Sequence, residues 1–174
     1  MITNWAKRHS HLLLLAWMTL AACFAVRASA ADIGEQAPAW QATTLDGRVI
    51  DSDSLKGKVT LVHFWATWCP PCRKEMPALA NFYREHAKDG LEIVAVSLDE
   101  DANQAEVRRF VQSYGFPVAM MSASRMDGFG RVWALPLSFL IDRRGVLREA
   151  DWTGERTIDA ASLDKIVLPV LSER

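Results

Sequence analysis

The sequence predicts an α/β fold in which helices flank a central β-sheet. Residues 59–65 and 91–98 are almost continuous runs of β-branched, aliphatic or aromatic side chains, as in strands that are buried on both faces. Between them, the residues from Pro70 onward carry apolar groups at 3.6-residue spacing, and Asp89-Gly90 marks the turn that ends this helix. A strand, a helix and a second strand in this order indicate a right-handed βαβ unit.

The remaining elements lie on either side of this unit. Residues 40–50 hold an Asp46-Gly47 turn between two strand-like pieces, which predicts a β-hairpin that covers one edge of the sheet. After the second buried strand, apolar spacing and turn residues predict a helix over 103–114, a short strand over 116–121 and an irregular helix over 126–133. They then predict a hairpin of 139–142 with 146–150, joined by a solvated turn at Arg143 and Arg144. A last helix is predicted over 157–167, and Pro169 limits its length. The chain has no internal repeat and no linker. We therefore predict one domain over residues 31–174.

Cys69 and Cys72 are two residues apart, where the first buried strand gives way to the helix. This spacing in this context indicates a redox-active pair. Cys69 falls at the helix N-terminus, where unpaired backbone N–H groups and the helix dipole stabilise a thiolate. Such settings lower a cysteine pKa from about 8.5 to roughly 3.5–7.5. We therefore expect Cys69 to attack a substrate disulfide and the more shielded Cys72 to resolve the resulting mixed disulfide.

Two other kinds of site could use a cysteine pair. A zinc site needs two further Cys or His ligands at suitable spacing, and the four histidines form no such cluster. A purely structural disulfide across two residues would close too short a loop to stabilise the fold much. Redox chemistry is therefore the favoured interpretation, and it requires no metal, flavin or nucleotide.

Residues 64–77 read FWATWCPPCRKEMP, and this run closely resembles the active-site motif of the thioredoxin-like proteins of the TlpA/ResA/CcmG branch. Residues 33–38 with 45–47 and 55–58 resemble the N-terminal extension of that branch, which peroxiredoxins share. Residues 135–142 with Gly145 resemble its cis-proline strand. The resemblance extends from residue 33 to the end of the chain. It implies a thioredoxin fold with a central mixed β-sheet flanked by helices and an N-terminal β-hairpin extension. It also implies that the protein is a thiol-disulfide oxidoreductase of the bacterial envelope.

Further site residues follow from this resemblance. Trp68, Pro70 and Pro71 would support the cysteine pair as parts of its motif, and the two prolines stiffen the loop without adding a backbone N–H. A cis peptide bond before Pro136 would turn the backbone of Leu135 towards the attacking cysteine. The N–H and C=O of that residue could then pair with an extended substrate peptide.

An acidic run follows the second buried strand. Glu100 aligns with a glutamate that lies near the cysteines in some relatives and influences their proton transfers, so the resemblance makes it a candidate site residue. Its neighbours Asp99 and Asp101 are predicted instead to be solvated side chains that start the next helix.

Residues 1–30 predict an export signal, which indicates a periplasmic location. They carry basic residues, no acidic residue and a 15-residue apolar run over 12–26, shorter than the ~20 residues usually needed to span a bilayer. Small residues at 28–30 offer a cleavage site. Lipidation at Cys23 and an uncleaved anchor stay open, and either would tether the domain to the membrane.

Charge and family resemblance bear on the partners. The full chain has 20 basic and 21 acidic residues, and loss of Lys7, Arg8 and Arg27 with the leader would leave 17 basic residues against 21 acidic ones. A mildly acidic domain without a basic stripe argues against nucleic acid as a partner. The predicted partners are protein thiols and disulfides, and the resemblance implies that their reduction serves apocytochrome c or copper-site assembly proteins. Electrons would then come from a membrane dithiol donor.

Three other functions are alternatives for this sequence. A general disulfide oxidant would need the same residues with the opposite redox poise. A peroxiredoxin should show a P-x-x-x-T-x-x-C pattern, but Val62 and Ala66 stand at its proline and threonine positions. A copper carrier of this fold would use C-x-x-x-C spacing and a distal histidine, and neither is present after residue 86.

Overall fold

The computed structural model describes residues 32–153 and 156–173. The predicted leader, with its cleavage and lipidation sites, lies outside these residues. Within the described part of the chain, no helix is both long enough and apolar enough to cross a membrane.

The described residues form a mixed five-stranded sheet, a separate two-stranded hairpin and three α-helices. In chain order, the elements are β1 (Gln41–Thr43), β2 (Val49–Asp51), β3 (Val59–Trp65), α1 (Pro70–His86), β4 (Leu91–Ser97), α2 (Gln104–Val111), β5 (Val118–Met120), β6 (Leu137–Ile141), β7 (Leu147–Thr153) and α3 (Ala160–Ser172). The large sheet has the order β5-β4-β3-β6-β7. Strands β3, β4 and β5 are parallel, whereas β6 pairs antiparallel with both β3 and β7. This confirms the predicted thioredoxin-like fold.

Strands β3 and β4 form the centre of the molecule, and every residue of both is buried. Alternate side chains of a strand point to opposite faces, so each strand contributes to two separate cores. Leu61 and Trp65 join the core that contains buried side chains of all three α-helices. Val62 and Phe64 join the core that the hairpin covers. Burial on both faces explains why these strands read as nearly unbroken apolar runs.

The predicted N-terminal hairpin is present as β1 and β2, with Ala42 opposite Ile50. Its turn uses Gly47 at φ 87°, a left-handed conformation that glycine adopts without a Cβ clash. Beyond β1, the backbone N–H of Leu45 donates to the carbonyl of Val118 at 2.7 Å. Since Val118 begins the edge strand β5, the hairpin covers that edge of the sheet as predicted.

The C-terminal helix differs from its prediction. It begins three residues later than expected, because Asp159 accepts a hydrogen bond from the Ser162 N–H while the Ser162 hydroxyl accepts one from the Asp159 N–H. It also continues through Pro169, since Val170 and Leu171 beyond the proline are buried in the helical core. The prediction that Pro169 limits the helix was wrong. Tertiary packing here outweighs the loss of one helical N–H.

The prediction that Arg143 is a solvated residue of the last hairpin turn is also wrong. Its guanidinium donates to the carbonyls of Gly57 and Asp89 at 2.8 Å each and to the carbonyl of Leu171 at 3.1 Å. The planar fork of arginine suits several acceptors at once. Arg143 thus joins the segment before β3, the segment before β4 and the C-terminal helix. Arg144 beside it is exposed, as predicted.

Candidate functional site

The cysteine pair lies where strand β3 gives way to helix α1, and the two cysteines form a disulfide. Cys69 is the N-cap residue of α1, and Pro70 and Pro71 open its first turn. The backbone N–H of Cys72 points at the Cys69 sulfur, with an N–Sγ distance of 3.3 Å. Cys72 is fully buried and Cys69 is 5% exposed. Cys69 is therefore the more accessible of the two residues, and its sulfur sits where helix N–H groups stabilise negative charge.

The loop that carries Cys69 is anchored by Asp99, and the prediction that Asp99 is solvated is wrong. Asp99 is 4% exposed and follows the end of β4. Its Oδ2 accepts a hydrogen bond from the Thr67 N–H at 2.9 Å and another from the Ser97 hydroxyl at 2.6 Å. Its Oδ1 accepts the Thr67 hydroxyl. The carboxylate thus fixes the backbone two residues before Cys69 against the central sheet.

Glu100 and Asp101 behave differently from Asp99. Both are exposed, and Glu100 precedes a 3₁₀ turn over Asp101–Asn103 at the carboxyl end of β4. This confirms the prediction for Asp101. Glu100 lies outside the cleft that contains Cys69, so its influence on the cysteines stays a prediction.

A cleft of about 410 Å³ opens beside the disulfide. Nine residues line it: Trp68, Cys69, Pro70, Pro71, Leu98, Val132, Trp133, Ala134 and Leu135. The cleft thus brings Leu135 to the same site as Cys69 and its motif neighbours. The peptide bond between Leu135 and Pro136 is cis, as predicted. None of the lining side chains carries a charge.

Two tryptophans of the cleft are largely open to solvent. Trp68 is 63% exposed and Trp133 is 65% exposed, and both line the same cleft as Cys69. Trp68 precedes the cysteine, whereas Trp133 belongs to an irregular segment that precedes the cis-proline. Exposed aromatic groups that lie close together are a common feature of surfaces that bind other proteins.

Glu75 lies one helical turn after Cys72 and is only 1% exposed. Its Oε1 accepts a hydrogen bond from the Ile158 N–H at 3.0 Å. Its Oε2 is buried and has no hydrogen-bond partner among the described residues. Burial raises the pKa of Glu75 to about 7, although the Ile158 hydrogen bond acts in the opposite direction. The carboxyl therefore titrates near neutral pH inside the helix that carries the cysteines.

His63 is the polar exception within β3, and it is fully buried. Its Nδ1 lies 2.8 Å from the Ser138 hydroxyl on the neighbouring strand β6. Burial lowers the pKa of His63 to about 3, so the ring is neutral at physiological pH. Over the described residues, no group of three or more His, Cys, Asp or Glu side chains is arranged to hold a metal ion.

Three features near the cysteines were missed by reasoning from the sequence, namely the burial of Glu75, the Asp99–Thr67 contact and the aromatic wall at Trp133. Glu75 had a usable signal, because helical spacing places it on the same face as Cys72 and Leu79. The other two depend on which loops meet at the sheet edge, and local sequence patterns do not carry that information.

Comparison with known proteins gives matches along most of the described chain. Residues 33–150 match the family model described as the AhpC/TSA family. The thiol-disulfide oxidoreductase ResA of Bacillus thuringiensis (strain Al Hakam) is 42% identical over 127 residues, covering 72% of this chain and 72% of that protein. The ResA of Bacillus subtilis (strain 168) is 39% identical over 114 residues, covering 64% of this chain and 63% of that protein. A crystal structure of a thiol:disulfide interchange protein of the thioredoxin family from Chlorobium tepidum TLS has a TM-score of 0.67 at 31% identity. It covers 82% of this chain and 100% of that chain.

Proposed function

This chain belongs to the AhpC/TSA family and is a thiol-disulfide oxidoreductase, and from that premise we propose that it exchanges disulfides with protein substrates through Cys69 and Cys72. The observation that carries the proposal is the position of Cys69. Its sulfur caps helix α1 and receives the Cys72 N–H. Cys69 also lines the cleft of about 410 Å³. A thiolate at this position is stabilised by the helix and is accessible to a substrate.

The proposed reaction runs in two exchange steps. In the reduced enzyme, the Cys69 thiolate attacks one sulfur of a substrate disulfide, and the other substrate sulfur leaves as a thiolate and takes up a proton. The Cys72 thiol then loses its proton and attacks the Cys69 sulfur, which releases the second substrate thiol. The substrate disulfide gains two electrons, and the enzyme dithiol becomes the disulfide seen in the structure. An external dithiol must restore the reduced enzyme.

The cleft supplies the surroundings for these steps. Leu135 lies beside Cys69 in the lining, and its backbone pairs with none of the described strands. In our proposal, its N–H and C=O bind an extended substrate segment by strand addition. Trp68, Pro70 and Pro71 line the same cleft, and in our proposal they support the attacking cysteine.

We further propose that the enzyme works as a reductant in the periplasm, with residues 1–30 as its export signal and possible tether. The names of the ResA relatives support exchange chemistry. Reduction of apocytochrome c or of copper-site assembly proteins, fed by a membrane dithiol, stays a proposal that comes from the family resemblance. A general oxidant is the alternative, because it would need the same residues.

The reduction potential of the Cys69/Cys72 couple tests the direction of exchange. Equilibration with glutathione or dithiothreitol mixtures should give a value near or below about −220 mV, in the range of glutaredoxins and thioredoxin. A value near about −120 mV would overturn the reductant proposal, since it marks a strong disulfide donor. Two parallel measurements address the other functions. Consumption of hydrogen peroxide would favour a peroxidase, and copurification with copper would favour a copper carrier.

A further inference from the structure

The lining of the cleft contains Trp133, which neither the motif nor the family resemblance singled out. Trp133 is 65% exposed, and among the described residues only a few large apolar side chains are exposed to this degree. The others are Ile33, Val49 and Trp68, and of these only Trp68 shares the cleft. The two exposed tryptophans of the described chain therefore both lie beside the redox-active disulfide.

The chemistry of the lining restricts what this cleft binds well. Its nine residues supply aromatic, aliphatic, proline and cysteine side chains, without a carboxylate, an ammonium or a guanidinium. A charged group that enters such a cleft loses water without gaining an ionic partner. An apolar group that enters it removes both its own surface and tryptophan surface from water. The cleft therefore discriminates between substrates by the polarity of the residues beside their cysteine.

The size and position of the cleft indicate the form of the occupant. A volume of about 410 Å³ is in the range of small-ligand pockets, so the cleft has room for a short segment of a substrate chain. The cleft includes the residue that a substrate must reach, because Cys69 is one of its lining residues. A substrate cysteine in contact with Cys69 would thus place its chain neighbours against the cleft lining, which includes Trp68 and Trp133.

We propose that Trp133, together with Trp68, selects protein substrates in which the disulfide cysteine lies in an extended, uncharged segment with an aromatic or aliphatic neighbour. This inference rests on the proposed exchange function and specifies its substrate class. Aromatic anchors at the centre of an interface commonly contribute more than about 1 kcal/mol each, which corresponds to roughly a fivefold to tenfold change in affinity.

Matched peptides provide the test. Peptides of equal length, each carrying a fluorophore and joined through a disulfide to a quencher, would have Phe, Ala, Glu or Lys on both sides of the cysteine. In single-turnover reactions with excess reduced full-length enzyme, kcat/KM should follow the order Phe, Ala, then Glu and Lys, at about 0.15 M salt, where screening limits the influence of surface charges. In Trp133→Ala, the ratio of kcat/KM for the Phe peptide to that for the Glu peptide should fall about tenfold.

Val49→Ala is the control, because Val49 is 58% exposed and lies outside the cleft. It should keep the wild-type ratio. A wild-type ratio near one, or a Trp133→Ala variant that loses activity equally with every peptide, would overturn the inference while exchange itself continues. If the wild-type enzyme exchanges with none of the peptides and also fails with 2-hydroxyethyl disulfide, the proposed function itself fails.

Discussion

Replacement of Glu75 by glutamine should stabilise the protein in a pH-dependent manner. The Glu75 side chain is 1% exposed, and burial raises its pKa from 4.5 to about 7. At about 1.4 kcal/mol per pKa unit, this difference corresponds to about 3 kcal/mol of folding free energy. Glutamine has nearly the same shape and retains an oxygen that can accept the Ile158 N–H, but it carries no charge at any pH.

The sign follows from the two protonation states. Below about pH 4.5 the carboxyl of Glu75 is protonated in both the folded and the unfolded chain. No charge is then buried, and the folding free energy carries no electrostatic cost. As the pH rises towards about 7, the unfolded chain loses its proton first, and stability falls. Above about pH 7 the folded protein bears the full cost. Glu75→Gln should therefore raise the free energy of unfolding by about 3 kcal/mol more at pH 8 than at pH 4.

Urea unfolding of wild type and Glu75→Gln at pH 4, 6 and 8 measures this effect, with the disulfide kept oxidised throughout. Glu85→Gln is a matched control, because Glu85 is exposed on the same helix, and it should show little pH-dependent difference. A stability difference between Glu75→Gln and wild type that is equal at pH 4 and pH 8 would refute the argument. It would mean that the buried carboxyl does not keep its raised pKa.

Two further stability changes follow from buried hydrogen bonds. Asp99→Ala should destabilise the fold by about 3 kcal/mol in urea unfolding, because it leaves the Thr67 donors buried without an acceptor. Asp101→Ala is the control, since Asp101 is exposed, and it should change stability by less than about 0.5 kcal/mol. Equal losses of stability in the two variants would contradict the role of Asp99. Arg143→Lys should cost about 1–2 kcal/mol in the same assay, because an ammonium cannot reproduce the fork to several carbonyls. A similar loss in Arg144→Lys would show that the fork is unimportant.

Most of the architecture could be predicted because its signals are local. The apolar runs of β3 and β4, the helical spacing after Pro70 and the Asp46-Gly47 turn each specify an element within a few residues. The cysteine pair was equally local, since its spacing and its place between a strand and a helix are read directly from the chain. Order along the chain then fixes much of the topology, because βαβ connections are almost always right-handed.

The wrong predictions and the missed burial of Glu75 concern residues whose environment comes from distant parts of the chain. Asp99 stands in an acidic run that predicts solvated side chains. In the structure it accepts a hydrogen bond from Thr67, which lies 32 residues away in sequence. Glu75 accepts its hydrogen bond from the Ile158 N–H, at a separation of 83 residues. Arg143 reaches Gly57 across a separation of 86 residues. A polar side chain in a turn or helix is predicted as exposed unless its partner is known. Partners at such separations produce no periodic pattern in the sequence from which they could be identified.

Mixed-disulfide trapping tests the central role of Cys69 most directly. Reduced Cys72→Ser and Cys69→Ser variants would be incubated with a denatured protein whose disulfides are intact, and covalent complexes would be resolved on non-reducing gels. Cys72→Ser should accumulate a complex through Cys69 that dithiothreitol dissolves, because the resolving thiol is missing while the accessible one is kept. Cys69→Ser should form little complex, since the Cys72 sulfur is fully buried. Trapping by Cys69→Ser alone, or by neither variant, would contradict the assignment of Cys69 as the attacking thiol.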